Sequence, residues 1–258
     1  MNTSRQGAVP FLFGELLVAH GFTTRYGGES QGAYESLNLG LSSGDEAAVV
    51  EQNRDLLLNH LGFERSDVCA FHQVHGDTVL DGAPGWFTQE ADAAVTNDPN
   101  TLLVVSMADC LPVLFHDFAT GAVGAAHCGW RGTVAGLAAK VVHRMGEEFG
   151  SRPEELMIQF GPAVDGECYQ VGTEVIEQFV QAQFPEHVYW RDAEVDKWRL
   201  DIKAANRWSL ERAGVLSENI VDPDFCTHCM PHMFYSYRRD NGVTGRHWAF
   251  VSPRLHLR

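Results

Sequence analysis

The sequence predicts one domain of mixed α and β class (α/β, α+β). Three observations carry that expectation. Short apolar runs bounded by Gly, Pro and Asp recur along the chain and have the length of buried strands. Between them lie longer segments whose apolar residues recur at three and four, the spacing of amphipathic helices. No internal repeat, low-complexity segment or linker divides the 258 residues, so residues 1–258 read as a single domain with a sizeable core.

Taken in order, residues 9–22 alternate loosely and lead into His20-Gly21-Phe22-Thr23-Thr24-Arg25 and the glycines Gly27-Gly28, a strand leaving into a loop. Ser36-Leu37-Asn38-Leu39-Gly40 continues that loop. Ser43 and Asp45 are candidate caps for a helix over about 46–61, with Val49, Val50, Leu56, Leu57 and Leu61 on one face and Gly62 at its end. Residues 69–74 read as a strand delivering His72 and His75 to a turn at Gly76-Asp77. Residues 78–80 read as its return, 82–86 as a loop and 91–96 as a further apolar segment. Residues 102–105, 111–115 and 122–126 read as strands, the last two joined by a turn at Asp117, Thr120 and Gly121. A helix is expected from 133 to about 149, a strand over 157–160, and a glycine-marked loop at Gly161-Pro162-Ala163 and Asp165-Gly166. Helices follow over 173–184, with Val175, Ile176, Phe179 and Val180 inward, and over 202–214, with a short strand at 198–201 between them. Residues 234–239 and 247–251, joined by Asp240-Asn241-Gly242, read as a closing hairpin.

Composition narrows the function. Thirty-four acidic against 19 basic residues give a net charge of −15. A field of that sign repels phosphate backbones and anionic lipid, so neither nucleic acid nor a membrane surface is the expected partner. It leaves room for a small anionic substrate held by a local arginine. Residues 1–15 are too interrupted by Pro10, Gly14 and Glu15 for a secretory leader, and no run reaches transmembrane length. The six cysteines are therefore expected to stay reduced, in a cytoplasmic protein that is a monomer or small homo-oligomer.

The chemistry gathers on the hairpin. An antiparallel return places Cys110, just before one strand, beside His127, at the end of the next. A thiol beside an imidazole there is a nucleophile–base pair, two ligands of a metal, or a buried cysteine beside a core histidine. Residues i and i+3 on a strand face opposite sides, so His72 and His75 do not serve one metal together, but either is a candidate third donor. Two imidazoles and a thiolate leave the fourth zinc position open, as catalytic zinc sites do. Asp109 is a candidate to orient a ligand or carry a proton, with a plain turn residue as the alternative. Arg131, just past a strand end, is a candidate bidentate phosphate ligand, with Arg25 and Asn38 completing its pocket. Cys226, His228, Cys229 and His232 form the densest donor cluster, but four ligands within seven residues is not the spacing of a structural zinc, and chance clustering is the expectation. No His-x-His or His-Cys-His occurs, so a trinuclear copper centre is not expected and zinc is favoured over copper.

Together several motifs resemble one family. They are His20-Gly21-Phe22-Thr23-Thr24-Arg25, Ser36-Leu37-Asn38-Leu39-Gly40, Gln73-Val74-His75-Gly76, Ala108-Asp109-Cys110-Leu111-Pro112 and Ala126-His127-Cys128-Gly129-Trp130-Arg131-Gly132. Gly161-Pro162-Ala163, Cys168-Tyr169, Cys226-Thr227, Ser236-Tyr237-Arg238-Arg239 and Thr244-Gly245-Arg246 extend the match over roughly 10–251. The chain resembles the bacterial YfiH-like family, whose members go under the descriptions multicopper polyphenol oxidase (laccase), purine nucleoside phosphorylase and peptidoglycan editing factor. The resemblance implies a mixed β-sheet sandwich flanked by helices, similar to Cys–His toxin deamidases. It implies a catalytic zinc on His75, Cys110 and His127, which selects His75 over His72. It implies phosphorolysis of adenosine, inosine and methylthioadenosine to free base and ribose 1-phosphate, and adenosine deamination. Three other roles stay in view: amide-bond editing of a cell-wall precursor, copper-dependent polyphenol oxidation, and metal or nucleoside binding without catalysis. The family's segment after Cys-Thr usually lacks a second Cys and His, whereas this chain has His228, Cys229 and His232 there.

Overall fold

The structure is a computed structural model and describes residues 2–3 and 11–255. Val9 and Pro10, where the first strand was expected to begin, and most of the segment weighed as a leader lie outside the described residues.

Two mixed sheets face one another. The first has seven strands in the order Asn2–Thr3, Phe11–Phe13, Val18–Thr23, His247–Leu255, Leu102–Met107, Val68–His72, Gly85–Glu90. The second has six, in the order Ile220–Val221, Leu156–Phe160, Leu111–Asp117, Val123–Cys128, Ala93–Thr96, Val79–Asp81. Side chains alternate between two buried faces, which is why these strands read as continuous apolar runs. Leu103, Val105 and Met107 of one sheet meet Leu114, Val123 and Ala125 of the other in the inter-sheet core. The opposite face of the seven-stranded sheet, with Leu102, Val104 and Phe250, packs on Leu57, Leu58 and Leu61 of helix α1 (Ala47–Leu61). After the short helix α2 (Trp130–Val134), helix α3 (Leu137–Phe149) covers the outer face of the six-stranded sheet, where Leu137, Val141 and Met145 meet Val113, Phe115 and Ile158. Helix α4 (Thr173–Gln181) packs beside a small sheet of Gln170–Gly172, Lys197–Leu200 and Tyr189–Arg191, and helix α5 (Ile202–Arg212) joins this group to the α3 side. No helix among the described residues is long and apolar enough to cross a membrane.

The hairpin forms as its turn residues direct. His127 pairs with Pro112 and Cys128 with Leu111. Gly121 (φ 73°) donates its N–H to the Asp117 carbonyl, and the Asp117 carboxylate accepts from the Ala119 N–H. Phe115 of this hairpin is fully buried, whereas Phe118 at its tip is 69% exposed. Phe115→Ala should therefore cost about 3–5 kcal/mol in urea unfolding, and Phe118→Ala well under 1 kcal/mol; equal effects would contradict the packing described.

Several expectations need correction. Residues 78–80 do not return on the preceding strand; Val79–Asp81 joins the other sheet, parallel to Ala93–Thr96, so the Gln73–Asp77 turn crosses between sheets. Residues 82–86 are not all loop, since Gly85–Glu90 is a strand. The helix after residue 133 is broken at Gly136 (φ 77°), which separates α2 from α3. Asp45 does not cap α1; its carboxylate accepts from Ser30 and Asn38. Val49 and Leu56 are only half-buried, and Val180 is 54% exposed. Residues 234–239 make turns rather than a strand, so no closing hairpin forms; His247–Leu255 instead sits between Val18–Thr23 and Leu102–Met107.

Candidate metal and catalytic centre

Three segments deliver the centre. The crossing after Val68–His72 brings His75, the start of Leu111–Asp117 brings Cys110, and Val123–Cys128 brings His127. One donor atom from each lies within 4.8 Å of the other two. His72 is exposed and outside this group. His127 is buried, Cys110 partly exposed and His75 exposed, so the set is walled on the hairpin side and open to solvent on the other. A soft thiolate with two imidazoles fits zinc and also accepts copper.

Asp92 organises the group. It is fully buried at the start of Ala93–Thr96, and its carboxylate accepts from the backbone N–H of Val74 (3.1 Å), His75 (3.1 Å) and Gly76 (2.6 Å). His75 adopts the left-handed conformation (φ 60°), which lets three successive N–H groups converge on one anion. The same carboxylate lies 2.8 Å from His127 Nδ1, and the His127 N–H donates to the Asp92 carbonyl at 2.7 Å. A proton on Nδ1 held this way leaves Nε2 free to face Cys110. Asp92 thus fixes two of the three donors. Sequence reasoning passed over it; its one signal was a lone carboxylate inside the apolar run Ala91-Asp92-Ala93-Ala94-Val95.

Electrostatics set Cys110 apart. Burial raises its thiol, but His127 beside it, by charge and hydrogen bond, and then His75 bring it down to about 6. Burial lowers His127, and the Cys110 sulfur and Asp92 carboxylate reverse this, raising it to about 9. Burial pushes Cys69 up to about 11 and Cys128 higher still, so those neighbours stay protonated thiols. Cys110 is accordingly the thiolate of the group, whether as ligand or nucleophile.

Gly129 follows the Cys128–Leu111 pair that ends the hairpin. A Cβ there would stand 2.9 Å from His75 Cδ2 and 3.3 Å from Cys110 Sγ. Gly129→Ala is expected to displace the His75 ring and weaken zinc binding while leaving the melting temperature nearly unchanged, since the crowded ring is exposed. Zinc titration beside a thermal melt checks this.

The remaining candidates separate. Asp109 (φ 92°) is almost fully buried, and its carboxylate accepts from Thr227 Oγ1 and the Arg238 N–H, both at 2.6 Å. Its carbonyl accepts from the Val164 N–H. It ties three loops together behind Cys110, and the strained backbone is held by those bonds. Asn38 is fully buried, and its amide bonds Ser43, Asp45 and the N–H groups of Gly40 and Arg246. Arg25 donates to the carbonyls of Glu35 and Pro231 and lies over the Tyr235 ring. These two side chains bond the loop's own surroundings. Arg131 is exposed, stacks on Trp130 at 4.3 Å and forms no ion pair among the described residues. Tyr169, pushed up by burial and then by the Cys110 charge, and Arg246, lowered by burial, both lie within electrostatic reach of Cys110. Both lie in motifs that carried the resemblance, but neither was given a role from sequence.

Comparisons with known proteins agree on one family. Residues 19–254 match the family described as "Multi-copper polyphenol oxidoreductase laccase". A Deinococcus radiodurans protein called purine nucleoside phosphorylase is 43% identical over 242 residues, covering 93% of this chain and 91% of that one. The Escherichia coli K12 protein called purine nucleoside phosphorylase YfiH is 39% identical, covering 91% and 93%. The crystal structure of YlmD from Geobacillus stearothermophilus superposes with a TM-score of 0.89 at 31% identity, covering 97% of this chain and 98% of that one.

Proposed function

Since the chain belongs to the YfiH-like family described as multi-copper polyphenol oxidoreductase laccase, we propose that it is a cytoplasmic zinc enzyme and a purine nucleoside phosphorylase. The substrates are adenosine, inosine and methylthioadenosine, with hydrolytic deamination of adenosine as a second activity. Two relatives carry the name purine nucleoside phosphorylase and match nearly end to end. The observation that carries the reading is the convergence of His75, Cys110 and His127, with one side open.

His75, Cys110 and His127 hold the metal, and Asp92 fixes the tautomer and aim of His127. Zinc there supplies Lewis-acid polarisation of a substrate oxygen. Arg131, free of carboxylate partners and braced by Trp130, is placed to grip phosphate through two N–H groups. Tyr169 stays protonated beside the thiolate and can donate a hydrogen bond to the substrate. The two sheets and their helices act as one rigid support, so residues 1–258 work as a single domain.

The test is incubation of purified, zinc-loaded protein with adenosine, with and without phosphate. Adenine and ribose 1-phosphate should form only with phosphate, and some inosine in either case. No base release under both conditions would sink the reading. Chelation followed by zinc-only or copper-only reconstitution separates it from copper-dependent polyphenol oxidation, which zinc alone should not restore.

One observation favours a second reading. The Cys110 thiol, drawn down by His127, is also what a nucleophile–base pair requires. Cys110 would then attack an amide carbonyl of a cell-wall precursor, His127 would pass the thiol proton to the departing amine as the C–N bond breaks, and water would hydrolyse the resulting thioester. That reading predicts hydrolysis without phosphate and without loss on chelation.

A further inference from the structure

A second donor set lies outside the centre. Cys168, His228 and Cys229 each present a donor atom within 4.8 Å of the other two, and the Cys168 and Cys229 sulfurs are 3.2 Å apart. The Cys226 sulfur borders this set, three residues before Cys229 and bonded by its backbone. It accepts from the backbone N–H of Asp165 and of Cys229, each at 3.4 Å. Two N–H donors on one sulfur fix its direction, as a ligating sulfur requires. Residues 226–232 by themselves lack the ligand spacing of a structural zinc site. The fold changes the set: His228 and Cys229 are joined by Cys168, some sixty positions earlier, with Cys226 bordering them and exposed His232 outside. Cys226-Thr227-His228-Cys229 then supplies a C-x-x-C pair with the histidine between, and Cys168 comes from across the chain, which is an ordinary Cys3His composition. A tetrahedral zinc with Zn–S of about 2.3 Å spaces its sulfurs about 3.8 Å apart, so modest side-chain rotation suffices.

We propose that Cys168, Cys226, Cys229 and His228 form a second, structural zinc site, separate from the open centre at Cys110. All four positions are filled by protein, so the site is closed to substrate. Its role follows from what it joins. The 163–168 loop bonds Asp109 through the Val164 N–H, and the 226–229 loop bonds it through Thr227. Ala163 and Cys226 already meet in a bridge. Zinc across Cys168 and Cys226–Cys229 staples the two loops that hold the wall behind Cys110. Binding releases the thiol protons to solvent and involves no redox change.

The test uses the full chain, stripped of metal under reducing conditions and titrated with Zn(II) and with Co(II). Wild type should take up two equivalents. Cys110→Ala should keep one, on the second site; Cys168→Ser/Cys229→Ser should also keep one, on the open centre. With cobalt, the charge-transfer absorption of the Cys110→Ala protein should be about three times that of the Cys168→Ser/Cys229→Ser protein, because three thiolates are compared with one. Cys229 is exposed, so Cys229→Ser alone weakens the site without disturbing the core and serves if the double variant misfolds. No equivalent retained by Cys110→Ala, two equivalents surviving Cys229→Ser at chelator-buffered zinc, or a Cys168–Cys229 disulfide in protein purified without air would each overturn the proposal. None of these outcomes depends on whether the Cys110 centre is a phosphorylase.

Discussion

Asp92→Asn is expected to lower the zinc affinity of the His75–Cys110–His127 set by about 10–100-fold and nucleoside turnover with it. The substitution conserves size but not the pattern of donors and acceptors. Oδ1 serves the His75 N–H and His127 Nδ1, and Oδ2 serves the N–H groups of Val74 and Gly76. An amide must turn its NH2 toward one of those pairs, so at least two buried donors lose an acceptor whichever way it sits. Each loss costs about 1–3 kcal/mol. The His75 turn then loses the anion that holds its left-handed backbone, and His127 loses the partner that fixes its proton on Nδ1. Zinc competition against a chromophoric chelator measures the first effect, and a thermal melt the cost to the fold. Zinc affinity equal to wild type would show that His127 and His75 are aimed by something else. Asp81→Asn, which touches only an exposed ion pair with Arg144, is the control and should change neither.

How far the sequence could be read differs between the hairpin and its surroundings. Turn chemistry at Asp117, Thr120 and Gly121 is local, so the approach of Cys110 to His127 could be foreseen. The Gln73–Asp77 crossing could not, because a strand that returns and a strand that leaves for the facing sheet have the same apolar pattern. Residues 234–242 carry hairpin-like turn residues, yet their role is to wrap Asp109 and the Arg239 carbonyl contacts, so long-range bonds override the local signal. Asn38 and Arg25 looked like ligand residues because polar groups in a glycine-rich loop usually face outward; here the loop folds back and each side chain bonds its own backbone surroundings. Asp92 was invisible for the opposite reason. Its worth lies wholly in partners 16 to 35 positions away, and nothing adjacent in the chain announces them. The Cys168 contribution to the second cluster was hidden in the same way.

Substituting Cys110 should have the largest effect of all and should also tell its two chemical roles apart. Cys110→Ala is expected to reduce phosphate-dependent adenine release by more than the roughly 10–100-fold typical of a supporting residue, with little change in melting temperature, because Cys110 sits at the open edge of the site rather than in a core cluster. If Cys110 is a metal ligand, two imidazoles remain. Activity should then fall together with zinc occupancy, and Cys110→Ser, which keeps a weaker oxygen donor, should regain part of it as zinc is raised. If Cys110 is a nucleophile, no amount of zinc rescues either variant, chelation leaves wild type active, and an alkylating reagent abolishes activity with an apparent pKa near that of the thiol, about 6. The expected pattern is the first. Chelation should inactivate wild type, zinc should restore it, and bound zinc should protect Cys110 from alkylation, since a thiolate lone pair directed at the metal is not available to the reagent. Full activity after chelation would contradict the ligand role, whereas undiminished activity in Cys110→Ala would contradict both roles at once and leave the centre a binding site only.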